Sequence, residues 1–232
     1  MASLSVVVAA HPKRKLLVDQ LLERLPSDAV AVFDDKDDEW DTHRRSWRAA
    51  LLKGRDYGLV LQDDAIISRN LVPALETALA HIPGNSVVSL YFGNAKNHPK
   101  IVRAVRRADE EDASWIVTSG TWWGVGIILP TELIPNMLEF CERRREVYDR
   151  RLSIWCEHDP QGPYQVYYPW PSLVDHLDED SLVKPGRAPG RKAFRFIGED
   201  ADALSWDPAK GAVPCGRVTN KSTTLRGNMQ RK

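Results

Sequence analysis

The sequence predicts an α/β domain, a sheet carrying helices on both faces that is regular in its first half and irregular in its second. Three observations predict it. "LSVVVAA", Leu4–Ala10, is a continuous apolar, β-branched run suited to a strand buried on both faces. Across residues 13–25, Leu16, Leu17, Leu21, Leu22 and Leu25 recur at helical spacing until Pro26 ends the pattern. A second short apolar run at 29–33 then completes the strand, helix, strand opening of a parallel unit. With 232 residues and 43% hydrophobic content the chain has material for one large core, so a single domain is expected.

The remaining elements follow in order. After the acidic loop "DDKDDEWD", Thr42 is placed to cap a helix bearing Trp47, Ala50 and Leu51 on one face and stopping at Gly54. The strand expected at 57–61 leaves Gln62, Asp63 and Asp64 at its carboxyl end, the edge where open α/β sheets bind ligands. Leu71, Leu75, Ala78, Leu79 and Ile82 form a further helical stripe ended by "PGN", and 86–91 reads as a strand. "SWIVTSGTWWGVGIILP" contains a strand, a glycine- and tryptophan-rich turn and another apolar run, followed by a helix from Glu132 to about Tyr148. "YQVYYPWPSLVDH" reads as a strand and a proline-stiffened turn. Beyond Lys184, glycine, proline and basic residues dominate and no acid follows Asp207, so the domain is expected over 1–206 with a basic tail at 207–232.

Bulk properties exclude several functional classes. Lys plus Arg equal Asp plus Glu at 32 each, so no global field draws the chain to nucleic acid or an anionic membrane. Cys141, Cys156 and Cys215 are odd in number and lack C-x-x-C spacing, which argues against a disulfide framework and a zinc knuckle and favours a reducing cytosol. The start, "MASLSVVVAAHPKRK", lacks a basic region before its apolar run and makes a poor signal peptide, and no apolar stretch reaches membrane-spanning length. A soluble, cytoplasmic protein with no membrane partner is the expectation.

Two adjacent carboxylates at the end of a core strand require compensation, because like charges repel and burial penalises both. A hard divalent cation such as Mn²⁺ or Mg²⁺ would compensate them, since such ions take one or two carboxylates and complete their shell with substrate phosphates. "LVLQDDA" resembles the D-x-D or E-D-D signature of GT-A-type glycosyltransferases, with Asp63 and Asp64 on the acidic positions. The resemblance implies a nucleotide-sugar half over 1–90 and an acceptor half over 91–206. It implies that the loop "AAHPKR", with His11 and Arg14, touches the nucleotide, and that Asp34 or Asp35 in "VFDD" contacts base or ribose. "DTHRRSWRAAL" is similar to the helix whose early polar residues face the nucleotide. Arg14, Arg44, Arg45 and Lys184 are the candidate cations for the diphosphate. "PSLVDHLDEDS" is similar to the family's ending in which a histidine approaches metal or diphosphate, making His176 the third candidate at the metal. Adjacent acids in place of D-x-D leave open which of Asp63 and Asp64 binds directly.

"GTWWGVGIILP" looks like the family's acceptor loop, so Trp122 and Trp123 are candidates to stack on the acceptor, with about half of Trp122, Trp123, Trp155 and Trp170 expected in the core. An inverting reaction needs a base, for which Asp149 is chosen ahead of Glu157 and Asp159; a retaining one does not. For the acceptor, basic groups at 100–107, 143–151 and 184–195 and the likeness to small phage-encoded transferases suggest double-stranded DNA bearing hydroxymethylated pyrimidines, placing the enzyme in a host's cytoplasm. The competing acceptors are a surface glycan, a lipopolysaccharide sugar or a virion protein. Two other classes are a nucleotidyltransferase, disfavoured by the absence of a glycine-rich loop in "AAHPKRK", and a non-catalytic nucleic-acid-binding protein, which leaves "LVLQDD" unexplained.

Overall fold

The first strand, β1 (Leu4–Ala10), is buried at all seven positions, as the unbroken apolar run requires. In the computed structural model, which describes residues 2–95, 98–178 and 190–216, α1 (Lys15–Glu23) leads to β2 (Val30–Phe33), α2 (Glu39–Leu52) and β3 (Tyr57–Gln62). β4 (Ala65–Ile67), α3 (Leu71–Ala78), β5 (Val87–Ser89), α4 (Pro99–Glu110), β6 (Trp115–Thr118) and β7 (Gly126–Pro130) follow. The chain continues through α5 (Ile134–Glu142), α6 (Tyr148–His158), β8 (Val166–Pro169), β9 (Val174–His176) and β10 (Ala212–Pro214).

Eight strands form one sheet in the order β10-β6-β8-β5-β7-β3-β1-β2. β1 pairs in parallel with β2 and β3, whereas β7 runs antiparallel between β3 and β5. Val6 and Val8 pack on one face with Val18 and Leu21 of α1 and Leu71 and Leu75 of α3. Ala9 and Val60 pack on the other with Trp47 of α2, Ile101 of α4, Met137 of α5 and Trp155 of α6. Helices thus cover both faces, as expected. Among the described residues no helix is long and apolar enough to cross a membrane.

The order 3-1-2 at this edge fixes where a ligand fits. From β1 the chain crosses by α1 to one side, and from β2 it returns by α2 over the opposite face to the far side of β1. The two crossovers part between β1 and β3, leaving a crevice beyond their carboxyl ends. A separate two-stranded ladder adjoins it: β4 pairs antiparallel with β9, with Ala65 opposite His176. That register brings a residue from the second half of the chain beside Asp64.

Several expectations are corrected. Asp38, not Thr42, caps α2: its backbone is extended and its carboxylate accepts the Asp41 N–H at 3.0 Å, so Thr42 lies inside the helix. Gly54 does end the segment, in the left-handed region at φ 65° where a residue lacking Cβ costs least. The helix expected from Glu132 to about Tyr148 is shorter, α5 ending at Glu142 because the charged stretch 143–146 offers no apolar face and Val147 is extended, and an unanticipated helix, α6, starts at Tyr148. α4 was not anticipated beneath the basic group at 100–107; Ile101, Ala104, Val105 and Ala108 are its buried stripe, and a fully buried Ile or Val contributes roughly 1.5–3 kcal/mol. The sheet also extends past residue 206 into the expected tail. β10 pairs with β6, and Val213 there is 1% exposed.

Candidate active site

A cleft of about 900 Å³ opens at the carboxyl ends of β1, β2 and β3. At its floor, the His11 N–H donates to Asp63 Oδ2 at 2.7 Å. His11 Nδ1 accepts the Lys13 N–H at 3.1 Å and so caps a 3-10 turn, Pro12–Arg14. The turn delivers Arg14, whose Nη1 lies 2.8 Å from Asp63 Oδ1 and 2.5 Å from Asp64 Oδ2. Compensation for the acidic pair therefore comes from within the chain. Burial opposes the Arg14 charge, but Asp64 and Asp63 outweigh it and raise the guanidinium above its usual value. Burial pushes the Asp63 carboxyl up, against the hydrogen bonds from Arg14 and the His11 N–H.

Asp64 has a different second oxygen. Its Oδ1 is buried and has no hydrogen-bond partner among the described residues, whereas Oδ2 meets Arg14 and lies 3.3 Å from His176 Nε2. The Asp178 N–H donates to His176 Nδ1 at 2.9 Å, so the proton of the neutral ring sits on Nε2, facing Asp64. Burial lowers the His176 pKa, with Asp64 pulling the other way. In this arrangement His176 turns an N–H, not a lone pair, toward Asp64. Among the described residues no group of three or more His, Cys, Asp or Glu is set to hold a metal ion. The donor set suits a cation held through Asp64 Oδ1, with the rest of its shell drawn from a ligand's oxygens.

The β2 side is organised by backbone capture. Asp34 lines the cleft, and its Oδ1 accepts the N–H groups of Lys36 at 3.0 Å and Asp38 at 3.2 Å. Burial pushes its carboxyl up, but those N–H groups prevail and hold it below the usual range. Asp35, Arg44 and Arg45, expected at the nucleotide, do not line the cleft. Arg44 and Arg45 lie three and four residues from Asp41 on α2 and bind it at 2.5 and 2.8 Å; Arg44 also reaches Glu142, and Arg45 reaches Asp35 at 2.7 Å. Hydrogen bonding from Arg44 and Arg45 brings the Asp41 pKa to about 2. The residues of α2 that do line the cleft are Glu39, Thr42 and His43. His43 continues the buried stripe of Ser46, Trp47 and Ala50, a signal available in the helical spacing.

Trp122 and Trp123 also line the cleft, with ring centroids 5.6 Å apart and edge to face. Gly120 and Gly124 hold this loop to α6. A Cβ on Gly120 would lie 2.6 Å from Ser153 Oγ, and one on Gly124 2.9 Å from the Tyr148 ring. Thr121 Oγ1 donates to the Asp149 carbonyl at 3.1 Å, so the tryptophans and Asp149, in the first turn of α6, face the same cleft. Trp155 and Trp170 are core residues, 0% and 4% exposed. Asp159 is also internal, accepting from Tyr164 Oη at 2.8 Å, and neither it nor Glu157 lines the cleft.

The wall is completed by Tyr91, Asn94, Gly190 and Arg191, none of them anticipated. Asp178 positions the last two, accepting the Gly190 N–H at 2.6 Å and the Arg191 N–H at 3.0 Å. Arg191 belongs to the basic run at 184–195; Lys184, the cation expected there, lies outside the described residues. Much of the other basic character is internally paired: Arg106 with Glu110, Arg107 with Glu111, Arg143 with Glu139 and Arg195 with Asp109.

No family model and no curated protein matches the chain. The functional reading therefore rests on the cleft.

Proposed function

We propose that the chain is a glycosyltransferase of GT-A type that moves a sugar from a nucleoside diphosphate sugar to an acceptor hydroxyl. One observation carries the reading: an arginine bridging two buried carboxylates at the β1/β3 switch point, inside a cleft also lined by two tryptophans and a carboxylate. Arg14 and Arg191 are the cationic groups suited to the diphosphate, whose charge grows as the sugar–phosphate bond breaks. Asp34 and the α2 segment take the nucleoside end. Asp64, through Oδ1, would hold a Mn²⁺ or Mg²⁺, which would further stabilise the charge of the departing diphosphate.

Trp122 and Trp123 suit any acceptor with a flat apolar face, whether a sugar ring or an extruded base. In an inverting reaction the acceptor oxygen forms the new bond to the sugar carbon, the diphosphate leaves with the old bonding pair, and Asp149 takes the hydroxyl proton. A hydroxymethylated pyrimidine in duplex DNA remains the acceptor favoured by the sequence, with a glycan or virion protein as the competing class.

The test is incubation with labelled nucleotide sugars, UDP-glucose first, with Mn²⁺ and duplexes containing hydroxymethylcytosine, hydroxymethyluracil or only normal bases, with nucleotide release followed in parallel. Donor turnover is expected from the wild type. Asp64→Asn, folded by circular dichroism, should lose at least about a hundredfold, or roughly 2.7 kcal/mol of transition-state stabilisation. A folded and fully active variant contradicts the assignment. Transfer confined to a hydroxymethyl duplex fixes the acceptor, and release without transfer to DNA selects the glycan or protein class.

A further inference from the structure

His43 is 5% exposed and its ring stacks on Tyr148, with centroids 3.7 Å apart at 20°. Nδ1 lies 2.8 Å from the Glu39 carbonyl oxygen. A carbonyl only accepts, so the ring proton sits on Nδ1 and Nε2 carries a lone pair. Among the described residues that nitrogen has no hydrogen-bond partner, although His43 forms part of the cleft wall. Buried polar atoms are normally paired, because an unmet one costs stability, and those left over call for an explanation. Burial also pushes the imidazole pKa down to about 4, so the ring is neutral at physiological pH.

The chemistry of the neighbourhood restricts what this nitrogen can meet. Asp34, on the same side of the cleft, is an ionised carboxylate and likewise only accepts. Two acceptor-only groups repel phosphate oxygens, which the two arginines take instead. They favour a ligand part that carries donors. In a nucleotide those donors are the ribose hydroxyls and the ring N–H of the base.

Resting on the nucleotide reading above, we propose that His43 Nε2 accepts a hydrogen bond from an O–H or N–H of the ligand's nucleoside, making His43 a specificity-determining residue. The unmet nitrogen lowers the stability of the ligand-free protein, and the correct nucleoside restores the bond. A nucleoside lacking the donor leaves the nitrogen buried and unpaired, which is the situation in which discrimination is strong.

Calorimetry on the full chain without metal, using UMP, GMP, their 2′-deoxy and 3′-deoxy forms, N3-methyl-UMP and N1-methyl-GMP, tests this. The wild type should prefer one parent nucleotide about tenfold or more over the form lacking the contacted donor, the net loss of one hydrogen bond to a buried group. The sugar-modified and ring-methylated arms tell ribose from base. His43→Phe, which keeps a ring on Tyr148, should bind about tenfold more weakly, lose the preference and melt no lower than the wild type when ligand-free. His43→Gln, which keeps an acceptor oxygen, should retain part of the preference. Unchanged affinity and preference in His43→Phe, or a wild type indifferent to every modification, overturns the role of His43 while leaving the cleft a nucleotide site. A wild type that binds none of these ribonucleotides overturns both.

Discussion

Asp63 and Asp64 are 7% and 5% exposed, and each carries a charge that burial penalises. Arg14 makes their coexistence possible by contacting both. Removing one partner of a buried ion pair leaves an uncompensated charge, a loss of about 3–5 kcal/mol, so Arg14→Met should be destabilised on that scale in urea denaturation at pH 7. The sign of its pH dependence follows from Asp63. Burial already holds its folded pKa above the usual carboxylate value, and loss of Arg14 removes an opposing influence and raises it further. A carboxyl with a raised folded pKa binds its proton in the native state first, so stability falls as pH rises from the unfolded value through the folded one. Arg14→Met should therefore recover part of its loss between pH 7 and pH 5. A deficit that is the same at both values contradicts the role given to the guanidinium.

At the scale of elements, the aromatic wall depends on close approach of the backbone. A Cβ on Gly93 would lie 2.6 Å from the Trp123 indole and 2.9 Å from Tyr91. Gly93→Ala should displace Trp123, cost about 1–3 kcal/mol as overpacking does, and shift tryptophan fluorescence; an unchanged spectrum and stability would mean the wall is not packed as described. Elements with an unbroken or periodic pattern were legible in the sequence: β1, the leucine helix α1, and β3 with its terminal acids. Elements decided by competition were less so. Asp38 and Thr42 are both capping residue types, and the extended backbone at Asp38 decides between them. Arg44 and Arg45 look like ligand cations in a string, but their i,i+3 and i,i+4 spacing from Asp41 commits them to the helix surface. His176 was readable as a candidate, yet only the β4–β9 register explains why it faces Asp64. The basic letters of α4 concealed an apolar stripe that a count at i, i+3, i+4, i+7 would have found.

The whole molecule joins both halves of the chain in one sheet, and the cleft draws its walls from each. The far edge closes with β10, where the Cys215 N–H donates to the Val117 carbonyl at 2.8 Å and Trp115 Nε1 donates to the Pro208 carbonyl at 2.9 Å. Truncation after Trp206 should therefore destabilise the domain by at least about 2 kcal/mol, the value of burying one valine with its strand, and a truncated chain as stable as the whole would make β10 dispensable. The central claim concerns the other side of the sheet: the proposed binding of a nucleoside diphosphate and a cation by Arg14 and Asp64, in the crevice between β1 and β3. Calorimetric titration of the intact chain with UDP, in the presence of Mn²⁺ and in the presence of EDTA, tests it most directly. The account predicts saturable one-to-one binding that tightens about tenfold or more with Mn²⁺ and loses that gain in Asp64→Asn; equal affinity with and without the metal, or no binding in either, would contradict it.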